Sequence, residues 1–171
     1  MLELATGRVH LYRYGVSGLG YLFSDTTAKS SKPNTIGHAL SPDWATMVGP
    51  YKRGEIDEYE YAYRYLTMLH ELPDTIYDAL EVASSQGRLR IMLLACYCSW
   101  PKFCHRHLAC RYIADRITDA YYTGEAYTVD NFEGPLLSPR DNEHEAYMDA
   151  IYEGVINEIC HYRWPDYTPV G

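Results

Sequence analysis

The chain has 171 residues, 47% of them hydrophobic and 22% charged, with a formal net charge of −8. That balance excludes disorder as the general state. It also excludes broad electrostatic capture of duplex DNA, which needs a surplus of Lys and Arg to displace phosphate counterions. The length suits one domain with a real core, no apolar run approaches the thickness of a bilayer, and "MLELATGRVHLYRYG" lacks a signal peptide's basic start and apolar middle, so no membrane partner and a cytoplasmic location are expected.

In chain order, "GRVHLYRYG" alternates Val9, Leu11 and Arg13 against His10, Tyr12 and Tyr14, which predicts a strand ended by "GVSGLG". The following "FSDTTAKSSKPNTIGHALSPDW" is rich in Ser, Thr, Pro and Gly and is expected to be a long exposed segment of lid type. Ser41 and Pro42 offer an N-cap and a first helical position, with Gly49 and Pro50 as the stop. From Ile56 the spacing Ile56, Tyr59, Tyr63, Leu66, His70 predicts a helical face, with Asp57 and Glu58 at its start as the dipole prefers. Pro73 opens another helix, with Ile76, Tyr77, Leu80 and Ala83 inward and Gly87 as its stop.

"RLRIMLLACYC" is an almost unbroken apolar run with basic residues at its start, which predicts a strand buried on both faces. A helix before it and another after it imply an α/β fold: a small central sheet with at least one parallel strand pair, flanked by helices. Beyond Ile117, "TDAYYTGEAYTVDNFEGPLLSPRDN" is expected to be loop-rich. "DNEHEAYMDAIYEGVINEICHYRW" then restarts a helix, capped by Asp141 or Asn142 and carrying Tyr147, Ile151, Val155 and Ile159 on one stripe. The α/β unit is expected over residues 1–125, with 126–171 forming a loop and helix packed on it.

Chemistry-bearing residues concentrate in "LLACYCSWPKFCHRHLACRYIADRI", which holds four of the five cysteines. An odd number of clustered cysteines is unlike a secreted disulfide framework and suits reduced thiols or a metal site, although cysteine is also a common buried hydrophobe. Placed at the carboxyl end of a central strand, this corner sits where open α/β sheets bind ligands. Cys104 near a helix N-terminus, with Lys102, Arg106 and the histidines nearby, is expected to favour thiolate and serve as a nucleophile, with His105 or His107 moving a proton and Arg106 and Lys102 holding an anion. Cys96, Cys98, Cys104 and His105 form a rival metal set for zinc or iron, although the spacing is not that of a zinc finger. Rhodanese or phosphatase cradles, Walker loops and dinucleotide glycine motifs are excluded, because the arginine and the glycines fall at the wrong spacings. Arg111, His70, His144 and His161 fit solvent or packing positions, and the 18 tyrosines fit cores and interfaces as well as base stacking.

"LLACYCSWPKFCHRHLACRYI" resembles the signature of the domain-of-unknown-function family numbered 488, found in bacteria and their phages. "LSPDWATMVGPYKRGEIDEYEYAYRYLTML" resembles the same family's Trp, Tyr-Lys, Gly-x-Ile and paired-tyrosine stretch. The resemblance covers about residues 38 to 117 and implies an α/β fold with no settled activity. It maps the family's positions onto Trp44, Lys52, Tyr61, Tyr65, Cys96, Cys98, Cys104, His105 and Arg106. "SSKPNTIGH" and everything after Thr123 depart from it.

Two readings follow. In the first, the corner binds an anionic or nucleotide-like small molecule and acts through the Cys104 thiol, with His105 and Arg106 beside it and Trp44, Lys52, Lys102 and His107 contributing to binding. In the second, the chain is a non-enzymatic acidic phage protein that binds a host protein in the host cytoplasm, with the cysteine corner structural or metal-binding.

Overall fold

The computed structural model describes residues 1–9, 20–29, 31–99, 102–127, 136–137 and 142–163. Strands β1 (Leu2–Arg8), β2 (Gly20–Asp25), β3 (Leu89–Cys96), β4 (Ala120–Tyr127) and β5 (Leu136–Leu137) form one sheet in the order β2-β3-β1-β4-β5. The first four run parallel, and β5 pairs antiparallel with β4. Parallel neighbours need crossovers. These are supplied by α1 (Ile36–Ala39), a π-helical turn (Trp44–Val48) that runs into α2 (Gly49–Lys52), α3 (Glu58–His70) and α4 (Asp74–Ser85) between β2 and β3, and by α5 (His105–Arg116) between β3 and β4. Helix α6 (Asn142–Arg163) follows and packs on α3 and α5. This is the α/β architecture expected.

Burial on both faces explains the apolar run of β3, where Met92 to Cys96 are all buried. Leu2, Leu4, Met92 and Leu94 join Leu66 and Leu69 of α3, Leu108 and Ile113 of α5, and Val155 and Ile159 of α6 in the main core. Helix α3 begins where expected, because the Asp57 carboxylate accepts from the Glu60 amide at 2.8 Å. Its buried face is Tyr61, Ala62, Tyr65, Leu66 and Leu69, so the stripe is rotated from the expected one and Tyr59 is exposed. With tyrosines at 59, 61, 63 and 65, apolar periodicity cannot choose a face. Hydroxyl partners can: Tyr65 donates to the Leu40 carbonyl at 2.6 Å from a fully buried position. Helix α4 lies where expected, ended by Gly87 at φ 68°.

Three segments differ from expectation. The first strand is Leu2–Arg8, ahead of the predicted alternation, and residues 10–19 lie outside the described ones. The supposed exposed segment contains the end of β2, the buried Thr26 and Thr27, and α1 capped by Thr35. Residues 120–127, expected to be loop, form β4. In the second and third, polar residues such as Thr26 and Glu125 are paired inside the fold, so composition suggested solvent where ordered structure lies. The turn after Ser41 is capped by Asp43, whose carboxylate accepts from the Thr46 amide at 2.7 Å. Gly49 and Pro50 open α2 instead of stopping a helix. Among the described residues, no helix is long and apolar enough to cross a membrane.

Helix α1 presses on the end of β2 through Gly37, where an added Cβ would lie 2.4 Å from the Asp25 carbonyl oxygen. Backbone cannot yield as a side-chain tip does, so Gly37→Ala is expected to cost about 1–3 kcal/mol, read as a lowered urea midpoint. An unchanged midpoint would show that α1 does not seat on β2.

Candidate functional site at the cysteine corner

Because the four long strands are parallel, their carboxyl ends share one edge of the sheet. Thr26 and Thr27 follow β2 there, Cys96 ends β3, Cys98 follows two residues later, and Cys104 is the N-cap of α5. Cys104 has extended backbone angles and makes no side-chain cap bond, so its sulfur is turned to its neighbours. Sγ of Cys96 lies 3.7 Å from Sγ of Cys98, and Sγ of Cys104 lies 3.7 Å from Nδ1 of His105. All five cysteines are free thiols.

The His105 tautomer follows from its partners. Thr26 Oγ1 spends its proton on the Ala95 carbonyl at 2.9 Å. His105 Nε2 meets that same hydroxyl at 3.0 Å and the Thr26 carbonyl at 2.9 Å, both of which then act as acceptors. Nε2 therefore carries the hydrogen, and Nδ1 presents a lone pair to the Cys104 thiol.

A cavity of about 360 Å³ opens above this cluster, with Cys96, Cys98, Cys104 and His105 on its lining. Its walls include Tyr51, Tyr61 and Phe103, whose rings meet edge-on or tilted at 5.4–5.7 Å between centroids. Trp44, Lys29 and Lys52 also line it. The Lys29 ammonium sits 3.6 Å from the Trp44 ring centroid and that of Lys52 sits 5.0 Å from it. Among the described residues neither lysine has a carboxylate partner. Lys102 is exposed and lines a neighbouring groove shared with Lys52.

Arg106 and His107 point elsewhere. The Arg106 guanidinium is fully buried, grips Glu125 through Nη2 at 2.9 and 3.1 Å and Nε at 3.2 Å, and sends Nη1 to the Cys98 carbonyl at 3.0 Å and to Cys104 Sγ at 3.5 Å. Glu125 also accepts from Thr6 Oγ1 at 2.6 Å. Arg106 thus braces the loop and the sulfur from behind, and its fork is filled by Glu125. His107 lies beside Tyr122, with Nδ1 2.6 Å from the phenol oxygen. Arg111, read from the sequence as a solvent position, forms ion pairs with Glu145 and Asp149 of α6.

The electrostatics reverse one expectation. Burial pushes the Cys104 thiol up to about 12, outweighing Arg106, which pulls it down. The Cys104 contact, with burial adding to it, pushes Cys98 up to about 11. For Cys96 the Cys104 hydrogen bond lowers the value, but Cys98 and burial carry it above normal. The displacement of Cys104 favours the thiol by about 4 kcal/mol, against about 0.3–1 kcal/mol from the helix dipole. Desolvation wins, and the thiol is the resting form. Burial, with Arg106 adding to it, holds His105 down to about 3, and burial keeps His107 well below its ordinary value, so both rings rest neutral.

Of the candidate residues named from the sequence, Cys96, Cys98, Cys104, His105, Trp44 and Lys52 line one cavity, whereas Lys102, Arg106 and His107 do not. It missed Lys29, hidden in the supposed exposed segment, and Glu125, which lies in a strand read as loop. The signal for Glu125 was an Arg in a helix directly after a doubly buried strand, which requires a buried counter-charge. Comparison of the chain with protein-family models, with curated proteins and with solved structures found no match.

Proposed function

We infer that the corner binds a small, flat, anionic molecule of nucleotide-like kind, with its ring among Trp44, Tyr51, Tyr61 and Phe103, its anion at Lys29 and Lys52, and its reactive end at Cys104 and His105. The observation that carries this reading is the pair of ammonium groups resting on one indole at an aromatic cavity, without carboxylate partners among the described residues, in a chain of net charge −8. A cation on an exposed ring gains about 0.5–1 kcal/mol, while a charge-assisted hydrogen bond gains about 1.5–3 kcal/mol. An arriving phosphate or carboxylate therefore competes well for both lysines. The cavity volume falls at the low end of ligand sites, which favours a mononucleotide-sized molecule. In this reading the ligand's reactive end meets the Cys104 thiol, which rests protonated beside the lone pair of His105 Nδ1 with Arg106 behind it, and it becomes a nucleophile only where the bound ligand itself takes the proton.

Isothermal titration with a panel of nucleoside monophosphates, sugar phosphates and the matching uncharged nucleosides tests the reading. At least one phosphorylated member is expected to bind, and its uncharged counterpart more weakly. Lys29→Ala and Lys52→Ala are each expected to weaken binding about tenfold, equal to about 1.4 kcal/mol. No binding across the panel, or equal binding by the double lysine variant, overturns the reading.

A further inference from the structure

We propose that Cys96, Cys104 and His105 bind one thiophilic divalent cation of the zinc class, with Cys98 as the fourth ligand. Around a tetrahedral ion with metal–sulfur bonds of about 2.3 Å and metal–nitrogen bonds of about 2.0 Å, sulfur–sulfur edges are about 3.8 Å and sulfur–nitrogen edges about 3.5 Å. Two such edges are present: 3.7 Å between the Cys96 and Cys98 sulfurs and 3.7 Å between Cys104 Sγ and His105 Nδ1. The ligand atoms of Cys96, Cys104 and His105 all lie within 4.8 Å of one another, and all three residues are buried. Cys98, half-buried at the wall of the same cavity with its sulfur 3.7 Å from that of Cys96, supplies the fourth atom.

The support around the cluster matches what metal-bound imidazoles receive. His105 Nε2 is tied to the Thr26 carbonyl and hydroxyl, which fixes the ring and leaves Nδ1 aimed at the sulfurs. Arg106 holds the Cys98 carbonyl at 3.0 Å, anchoring the loop that carries the fourth ligand. A set of sulfur and imidazole donors selects zinc-class ions over magnesium or calcium, which prefer oxygen. The inference shares Cys104 and His105 with the small-molecule reading, and a bound ion would occupy both, whereas the anion-binding residues Lys29 and Lys52 take no part in it.

The test is metal analysis of reduced protein loaded with zinc and then desalted, together with cobalt substitution. One equivalent of zinc is expected, as are a thiolate-to-cobalt charge-transfer band in the near ultraviolet and the visible bands of a tetrahedral ion. Magnesium and calcium are expected not to compete. Cys96→Ser and Cys104→Ser are expected to weaken zinc binding by at least about 100-fold and Cys98→Ser by about tenfold, since it removes the outermost ligand. Lys29→Ala and Lys52→Ala should leave metal content unchanged, so loss of nucleotide binding and loss of metal binding are separate outcomes. If a serine variant does not fold, alkylation mapping of the unaltered chain decides: zinc should shield Cys96, Cys98 and Cys104 and leave the reactivity of Cys110 and Cys160 as it was. Absence of stoichiometric zinc or cobalt, or equal shielding of all five cysteines, overturns the proposal.

Discussion

Glu125→Ala is expected to cost about 3–5 kcal/mol of stability, measured by urea unfolding. Removing the carboxylate leaves the Arg106 charge fully buried, with no anion to offset its desolvation, and takes from the Thr6 hydroxyl its 2.6 Å acceptor, leaving it the Gly124 carbonyl at 3.4 Å. A deficit of that size is a large fraction of the roughly 5–15 kcal/mol that holds a domain folded. The penalty comes from the unpaired charge, not from the pair's own contribution. The double variant Arg106→Met with Glu125→Leu should therefore recover most of the loss, since an apolar pair of similar volume avoids both desolvation costs. A single-variant loss under about 1 kcal/mol would show that the guanidinium reaches water and that the brace behind the corner is not a buried one.

Acid is expected to destabilise the metal-free protein well above the carboxylate range. His105 and His107 rest neutral in the fold, with values displaced downward mainly by burial, whereas in the unfolded chain both titrate near their ordinary value of about 6.5. Between those limits the unfolded state binds more protons, so stability is complete above about pH 6.5 and falls as the pH drops, with the His105 contribution continuing to decline to about pH 3. A ring that stays neutral removes about 1.4 kcal/mol per pH unit, or about 2 kcal/mol by pH 5 for His105, and His107 adds a loss of the same sign. Urea unfolding at pH 7, 6 and 5 checks this, and His107→Gln should make the slope shallower. A stability that is flat over that range would mean that both rings protonate within the native state.

The parts of the fold legible in the sequence were those with a local physical cause. Asp57 ahead of an acidic first turn located α3, Gly87 ended α4, and the apolar run of β3 could be satisfied only between two covered faces. Strands β2 and β4 escaped notice because Thr26, directly after β2, and Glu125 read as solvent residues while their partners lie far along the chain. Thr26 pairs with Ala95 and His105, and Glu125 pairs with Thr6 and Arg106. The sulfur cluster was visible since its members fall within ten residues of one another. The state of its thiols was not, because the dipole and the nearby cations are written in the sequence but the depth of burial is not. Lys29 shows the same limit: nothing in its neighbourhood announced that the chain after β2 returns to Trp44.

The first turn of α5 looks outward in two directions at once. Cys104 and His105 serve the cavity, while Arg106 and His107, the next two residues, dock onto Glu125 and Tyr122 of β4. The corner is consequently not portable. A chimera or peptide carrying residues 93–117 without β4 would inherit a guanidinium with nowhere to discharge, and the helix would have to rotate to hydrate it, pulling the sulfurs out of register. Any transplant of this chemistry to another scaffold has to bring the acidic strand with it, and drift at Arg106 is tolerable only when Glu125 drifts in step.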